Sequence, residues 1–439
     1  MNTNKILTQA GWGNHPLFPE IARLAAKLAR DGKTADEILK TLDSKYENIA
    51  VYGLQTCPYK IYGTIGKDID YKAVDQMLKA AKLPVASRAA LMPDGHVGYA
   101  LPIGGVIELY NAVSPSFVGY DIACRVSLSI YPISPEEFMQ VREHWAKCLL
   151  KETSFGKGAG GLKRSHPVMS NSLWNEQPAK KLKSLAADQL GSSGGGNHFA
   201  DLLIGTVIKD AFGLKSNSRF VALMTHSGSR GTGKQIAEYF VALAKKEMKH
   251  YARNVPNGYE YLPLDTNAGQ DYLNMMHLMG EYAKANHELI HTHFSRAIGL
   301  APTFHFENHH NFAWVNDGIV IHRKGATPAY AGIPGIIPGS SGTASYLVRG
   351  LGNREALYSS SHGAGRLFSR SIAKQKYKPE VFKQRMQDLD ILFFGVEPDE
   401  TFMAYKDIDR VMSLQADIVE PIAQMWPKVV VMGGKADDG

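Results

Sequence analysis

What most constrains this chain is where its reactive residues fall. They lie in short glycine-rich clusters spread from residue 92 to residue 366: "MPDGH" (92–96), "GYDIAC" (119–124), "GSSGGGNHFAD" (191–201), "THSGSRGTG" (225–233), "NHHNF" (308–312), "HRKGAT" (322–327), "PGSSGTASY" (338–346) and "SSSHGAGR" (359–366). Glycine at this density lets backbone approach a ligand closely and turn its N–H groups inward, which suits phosphate. Each cluster also carries a potential metal ligand, a nucleophile, or a cationic or hydrogen-bonding group.

Between the clusters, helical and extended patterns alternate. Residues 17–50 read as helical: "LFPEIARLAAKLARDG" sets apolar residues at helical spacing up to Gly32, and "TADEILKTLDSKY" opens on an N-cap threonine. "LMPDGHVGYALPIGGVIELY" and "SPSFVGYDIACRVSLSIY" read as short strands joined by tight turns. Residues 134–150 return to helix, and 151–170 form a glycine- and lysine-rich loop. "FVALMTHSG" is a buried strand, 232–253 and 270–297 are long amphipathic helices, and "NFAWVNDGIVIHRKG" is a hairpin turning at "NDG". No Pro/Ser-rich linker or internal repeat divides the chain. The expectation is an α+β fold with a helical N-terminal extension over 1–55. A single large unit over 56–439 follows, with central mixed β-sheets flanked by helices.

Composition narrows the setting. Hydrophobic residues make up 44% and charged residues 21% of the 439, an ordinary globular balance. No apolar run reaches the ~18 residues of a membrane span, and the first twenty residues lack a signal-type apolar stretch. Cys57, Cys124 and Cys148 are too few and scattered for a disulfide framework, which fits a cytoplasmic location. A net charge of +7 is compatible with a polyanionic partner and equally with none.

Asp121, Cys124, His198, His226 and His310 form a mixed O, S and N set that suits zinc, manganese or a similar divalent ion. Singly, each histidine also reads as a hydrogen-bonding loop residue and Cys124 as a small buried hydrophobe, and spacing does not show that the five converge. Arg230, Arg323, Lys324, Arg366 and Arg370 lie in or near the clusters, and cations at such loops favour a phosphorylated substrate. "PGSSGTASY" has the content of a phosphate loop and also of an ordinary Gly/Ser turn. A rival signal is "NHELIH" (286–291), which spells His-Glu-x-x-His. His287 and His291 on one helix face could grip zinc, with Glu288 as general base and Glu307 as third ligand. That protease reading leaves every glycine cluster unexplained, and the short pattern arises easily by chance among 16 histidines.

Together the clusters resemble the RtcB family, GTP-dependent ligases that join RNA 3′-phosphate ends to 5′-hydroxyl ends. "GNHF", "HSGSRG", "RKGAT" and "SHGAGR" carry the resemblance, which runs in order over about residues 60–435. It implies two Mn²⁺ held by Asp121, Cys124, His198, His226 and His310, with the Cys124 thiolate bridging. His362 matches the family's nucleophile, which takes GMP from GTP, and Asp94 would orient it. The guanylate then passes to the RNA 3′-phosphate to make a 3′-pp-5′G end, which the 5′-hydroxyl attacks. A 2′,3′-cyclic phosphate is first opened at the same site. Arg230 would hold a substrate phosphate. Asn197, Phe199, Ala200, Asp201, Asn311, Pro338, Gly339, Ser340, Ser341, Ser345, Gly363, Ala364, Gly365 and Lys435 match nucleotide-binding positions. By the same matching, residues 270–297 form a long helix outside the metal set, with His287 and His291 on its surface or flanking the substrate groove.

This sequence departs from the family at Asp201, where Glu is usual, in "ADDG" beyond Lys435, and in residues 1–50, which have no counterpart. A divergent branch is therefore expected. Its RNA substrate could be tRNA halves or another cleaved RNA, and an archease-type activator is a possible partner. Two other classes compete: a two-metal phosphohydrolase or phosphodiesterase without guanylylation, and a catalytically silent RNA-binding relative.

Overall fold

The computed structural model describes residues 2–10, 12, 17–46, 50–156 and 158–434. Two sheets organise the chain from residue 59 onward. The larger has eight strands. Seven run antiparallel in the spatial order Phe304–His309, Arg125–Tyr131, Arg219–Ser227, Phe199–Val207, Val419–Met432, Ser345–Gly350 and Pro334–Ile337. Leu392–Phe394 adds to Val419–Met432 in parallel, so the sheet is mixed, as expected. Its two outer strands are tied by one side chain: Asn308 Nδ2 donates to the Ile336 carbonyl (3.3 Å) and Asn308 Oδ1 accepts from the Ile336 N–H (3.0 Å). An amide thus stands in for a ladder rung, and the sheet nearly closes on itself.

The smaller sheet has the order Asn311–Asn316, Ile319–Lys324, Ile103–Tyr110, Ala86–His96 and Tyr59–Ile61, the last pair parallel. The expected hairpin is present, and its two turn residues, Asp317 and Gly318, take φ of 48° and 78°. Only His310 separates Phe304–His309, at one edge of the larger sheet, from Asn311–Asn316, at one edge of the smaller. The chain therefore passes from one sheet to the other at a candidate ligand.

Helix Asn267–Ile298 spans 32 residues, from a Thr266 cap on the Gly269 N–H to a left-handed Gly299. With Ala179–Gln189 and Arg230–Glu247 it encloses a core that includes Trp174, Phe240, Tyr272 and Tyr282, all essentially inaccessible. At the N-terminus, helices Thr3–Gln9, Phe18–Arg30 and Ala35–Lys45 share a small core of Leu7, Trp12, Ile21, Ile38 and Leu42. Thr34 caps the third helix with a reciprocal Glu37 contact, as its sequence promised.

Two expectations change. "SPSFV" is a short helix, Pro115–Val118, because Pro115 favours the first helical position. The helix expected over 232–253 ends at Glu247; Ala252–Arg253 is drawn into parallel pairing with Ala50–Val51, a partner far away in sequence. Thr3–Gln9, capped by Asn2, falls within the helical extension expected over 1–55, although no periodic pattern singles it out.

Candidate active site

The structure brings the five proposed ligands together at the junction of the sheets. Asp121 and Cys124 lie on the bend that leads into strand Arg125–Tyr131. His198 precedes Phe199–Val207, His226 lies near the end of Arg219–Ser227, and His310 sits at the crossover. Cys124 Sγ is 3.4 Å from His198 Nε2 and 3.1 Å from His226 Nε2. His198 Nε2 is 2.9 Å from Asp121 Oδ2, and the Nε2 atoms of His226 and His310 stand 3.2 Å apart. Cys124, His198 and His226 offer donor atoms all within 4.8 Å of one another, and all three residues are buried.

These residues fit a divalent cation on several grounds. The Nδ1–H of His226 donates to the Asn197 carbonyl (3.1 Å), so its Nε2 lone pair points bare at Cys124 and His310. Burial, then neighbouring imidazoles, hold His226 and His310 well below the usual histidine range, so both are neutral donors. Burial, then the Asp121 carboxylate, pushes the Cys124 thiol well up; a thiolate there calls for a cation beside it. Asp121 is pushed up by burial but held on balance below its ordinary value by His198. The loops are shaped to these donors: a Cβ on Gly228 would come within 2.1 Å of Asp121 Oδ1, and one on Gly194 within 1.8 Å of His198 Nδ1.

His362 stands beside this cluster, its ring 4.8 Å from that of His310. Its Nδ1 is 2.7 Å from Oδ2 of the fully buried Asp94, and its backbone N–H donates to the same oxygen (3.2 Å). The ring is thereby oriented with Nε2 as its free nitrogen. Gly365, at φ 75°, lets the chain pass the Asp94 carbonyl where a Cβ would stand 2.2 Å away.

The candidate ligands and His362 share a cavity of about 270 Å³. Of the nucleotide candidates, Asn197, Phe199, Asp201, Asn311, Pro338, Gly339, Ser340, Ser341, Ser345, Gly363, Ala364 and Gly365 line it. Burial pushes Asp201 well above the carboxylate range, and its Oδ1 has no hydrogen-bond partner among the described residues. Ala200 does not belong: strand alternation turns it to the opposite face, into the core with Val429 and Val431. Lys435 lies outside the described residues.

Two of the basic residues need correction. Arg323 is fully buried, bonded to Ser359 Oγ (2.7 Å) and stacked on Trp314, and Lys324 donates to the carbonyls of Tyr99 and Ser116. Both brace the fold. Arg366 and Arg370 do line the cavity but are paired with Glu400 and Asp399. Arg230 is turned to the Gly156 carbonyl (2.8 Å) and Ser192 Oγ (3.2 Å). Sequence reasoning missed Tyr405 and Glu400, which line the cavity bonded to each other and lie outside any glycine cluster.

His287 and His291 are not on a helix surface or a groove but buried, at 1% and 5% exposure. They bond Thr225 and Ser129, Glu288 pairs with His166, and Glu307 pairs with Arg125. Among the described residues the one metal-binding group is Cys124, His198 and His226, so the protease reading fails.

Fold and site define a protein in which a buried Cys/His cluster able to hold a metal ion and a carboxylate-oriented histidine share one cavity. The model of the family described as tRNA-splicing ligase RtcB matches residues 76–433. The RNA-splicing ligase RtcB of Escherichia coli (strain K12) is 31% identical over 419 residues, covering 88% of this chain and 100% of that protein. The tRNA-splicing ligases RtcB of Thermococcus kodakarensis and Nanoarchaeum equitans are each 30% identical, covering 82% and 90% of this chain and 91% and 99% of their own lengths. The chain belongs to the RtcB family.

Proposed function

We propose that this protein is an RNA ligase that joins 3′-phosphate or 2′,3′-cyclic phosphate ends to 5′-hydroxyl ends, using GTP and two Mn²⁺. The observation that carries the reading is the pairing of His362 Nδ1 with buried Asp94 at 2.7 Å, which holds His362 in the wall of the cavity that the Cys/His cluster also lines. The Nε2 lone pair of His362 attacks the α-phosphorus of GTP, the bond to the bridging oxygen breaks, and pyrophosphate leaves. Positive charge on the imidazole is met by the Asp94 carboxylate. An oxygen of the RNA 3′-phosphate then takes the guanylate and frees His362. Attack of the 5′-hydroxyl on the activated 3′-phosphorus forms the phosphodiester and expels GMP. Cations held by Asp121, Cys124, His198, His226 and His310 would polarise phosphoryl oxygens and offset developing charge.

Asp201, which lines the cavity together with Phe199, Val430 and Met432, offers a guanine-sized ligand a polar group. For the RNA, Tyr99 and Tyr120 form an exposed edge-to-face pair, with centroids 5.8 Å apart, next in sequence to Asp121 and near His96 of the cavity wall. Such a pair presents a face on which a base can stack. Catalysis is assigned to 56–439 and the helical unit over 1–55 to an appended role, in a cytoplasmic enzyme that an archease-type partner can activate.

Incubation with α-labelled GTP and Mn²⁺ tests the first step: label should survive denaturation in the wild type and be absent from His362→Ala. No label in the wild type, with metal bound and ATP also tried, would sink the ligase and favour a two-metal phosphohydrolase.

A further inference from the structure

The buried histidines of "NHELIH" are part of a hydrogen-bonded chain whose direction can be deduced. His287 Nε2 lies 3.2 Å from the Ser227 carbonyl, which can only accept, so His287 is the Nε2–H tautomer and its Nδ1 is bare. Thr225 Oγ1, 2.6 Å from that Nδ1, must therefore donate to it. The Thr225 oxygen is then free to accept from His291 Nε2–H at 2.8 Å. His291 Nδ1 is thus bare and accepts from Ser129 Oγ–H at 2.7 Å. Ser129 Oγ in turn accepts from His305 Nδ1–H at 3.1 Å. Each link follows from the previous one, and burial holds both His287 and His291 well below the range in which they would be charged.

Two periodicities build this chain. Thr225 sits opposite Ser127 on neighbouring strands with Ser129 two residues on, so their hydroxyls share the face turned towards helix Asn267–Ile298. His287 and His291 stand one turn apart on that helix. His226, next to Thr225, points the other way, into the metal cluster. The turn at the end of the chain touches that cluster too: the Ser229 N–H donates to Asp121 Oδ1 (3.1 Å), and Asn286 Nδ2 holds the Gly228 carbonyl (3.1 Å).

We propose that His287 and His291 are positioning residues: with Thr225, Ser129 and His305 they form a one-way hydrogen-bond relay that clamps the 227–229 turn against Asp121. The relay sets the geometry of the metal ligands from behind without contacting metal or substrate. It rests on the metal-site reading above, but its direction is measurable without any metal.

The test uses the full chain labelled with ¹⁵N-histidine, with resonances assigned by single-histidine variants. Long-range ¹H–¹⁵N spectra of the metal-free protein should show His287 and His291 as Nε2–H tautomers and His305 as Nδ1–H. An Nδ1–H tautomer at His287 or His291, or an imidazolium at either near neutral pH, overturns the relay. Calorimetric titration with Mn²⁺ then tests its consequence. Thr225→Val, which removes the hydroxyl joint, should weaken Mn²⁺ binding about tenfold, and Thr225→Ser should restore it. Wild-type affinity in folded Thr225→Val, or no rescue by Ser, overturns the positioning role. If Thr225→Val does not fold, the wild-type tautomers decide the proposal. A wild type that shows these tautomers yet binds no Mn²⁺ refutes the metal-site reading and the clamp together, but not the relay's direction.

Discussion

Asp94→Asn is the sharpest probe of the proposed chemistry, because the structure decides between two very different magnitudes. Asp94 is fully buried, and its Oδ2 accepts both His362 Nδ1–H (2.7 Å) and the His362 backbone N–H (3.2 Å). An asparagine could present its oxygen or its NH₂ to this pair. Presenting NH₂ would force the other imidazole tautomer, leave Nε2 protonated and unable to attack, and cost a rate factor on the order of 10⁴. The backbone N–H of His362 opposes that orientation, since two donors would face each other. The oxygen therefore stays in place, the tautomer survives, and what is lost is the negative charge facing the developing imidazolium. A hydrogen bond to a charged group contributes about 1.5–3 kcal/mol. At about 1.4 kcal/mol per decade this slows guanylylation roughly 10- to 150-fold. The assay is single-turnover formation of labelled protein at saturating GTP and Mn²⁺. A rate within twofold of wild type would refute the orienting role of Asp94, and a loss near 10⁴-fold would refute the argument from the backbone donor. Stability should also drop by about 1–3 kcal/mol, because the amide NH₂ would occupy the Oδ1 position, which has no partner among the described residues.

Cobalt(II) added to the metal-free wild type should give thiolate-to-metal charge-transfer absorption that Cys124→Ser lacks; the same band in the variant would remove Cys124 from the ligand set. Tyr99→Ala should raise KM for RNA ends several-fold while leaving GMP–protein formation from GTP unchanged, and an unchanged KM would dismiss the stacking face. Acid should destabilise the fold through His322, whose Nε2 accepts the Ser114 N–H (2.9 Å) and which burial holds down to about 3. Because its folded pKa lies below the unfolded value near 6.5, this stabilisation is complete above about pH 6.5. It fades towards pH 3 at about 1.4 kcal/mol per pH unit. Urea midpoints should therefore fall between pH 7 and 4, less steeply in His322→Gln, and parallel curves for the two proteins would refute the assignment.

How much of this was legible in the sequence depends on whether a residue's role is set locally or by distant partners. The five candidate ligands could be named because their loops carry their own chemistry, glycine where a Cβ would strike Asp121 or His198 and a donor side chain beside it, whereas His362 was singled out only by the resemblance of "SHGAGR" to the family. Their convergence was not legible bottom-up, since it depends on a chain that leaves one sheet and enters another at His310. Ala200 was misplaced although strand alternation forbids three neighbours, Phe199, Ala200 and Asp201, from facing one cavity. Tyr405 and Glu400 gave no local signal; they reach the cavity because Arg366 and Arg370 pair with Glu400 there. The same long-range logic reverses the meaning of "NHELIH". Spacing rightly put His287 and His291 on one helix face, but a helix does not state what its face will meet. Here it meets a row of strand hydroxyls, and hydroxyls convert a pair of potential ligands into hydrogen-bonding partners. Each imidazole gives one N–H and accepts at the other nitrogen, so neither has a lone pair left for a metal. Replacing Thr225 and Ser129 by apolar residues would free those lone pairs, so it is the strands, not the motif, that keep His287 and His291 from forming a second candidate metal site among the described residues.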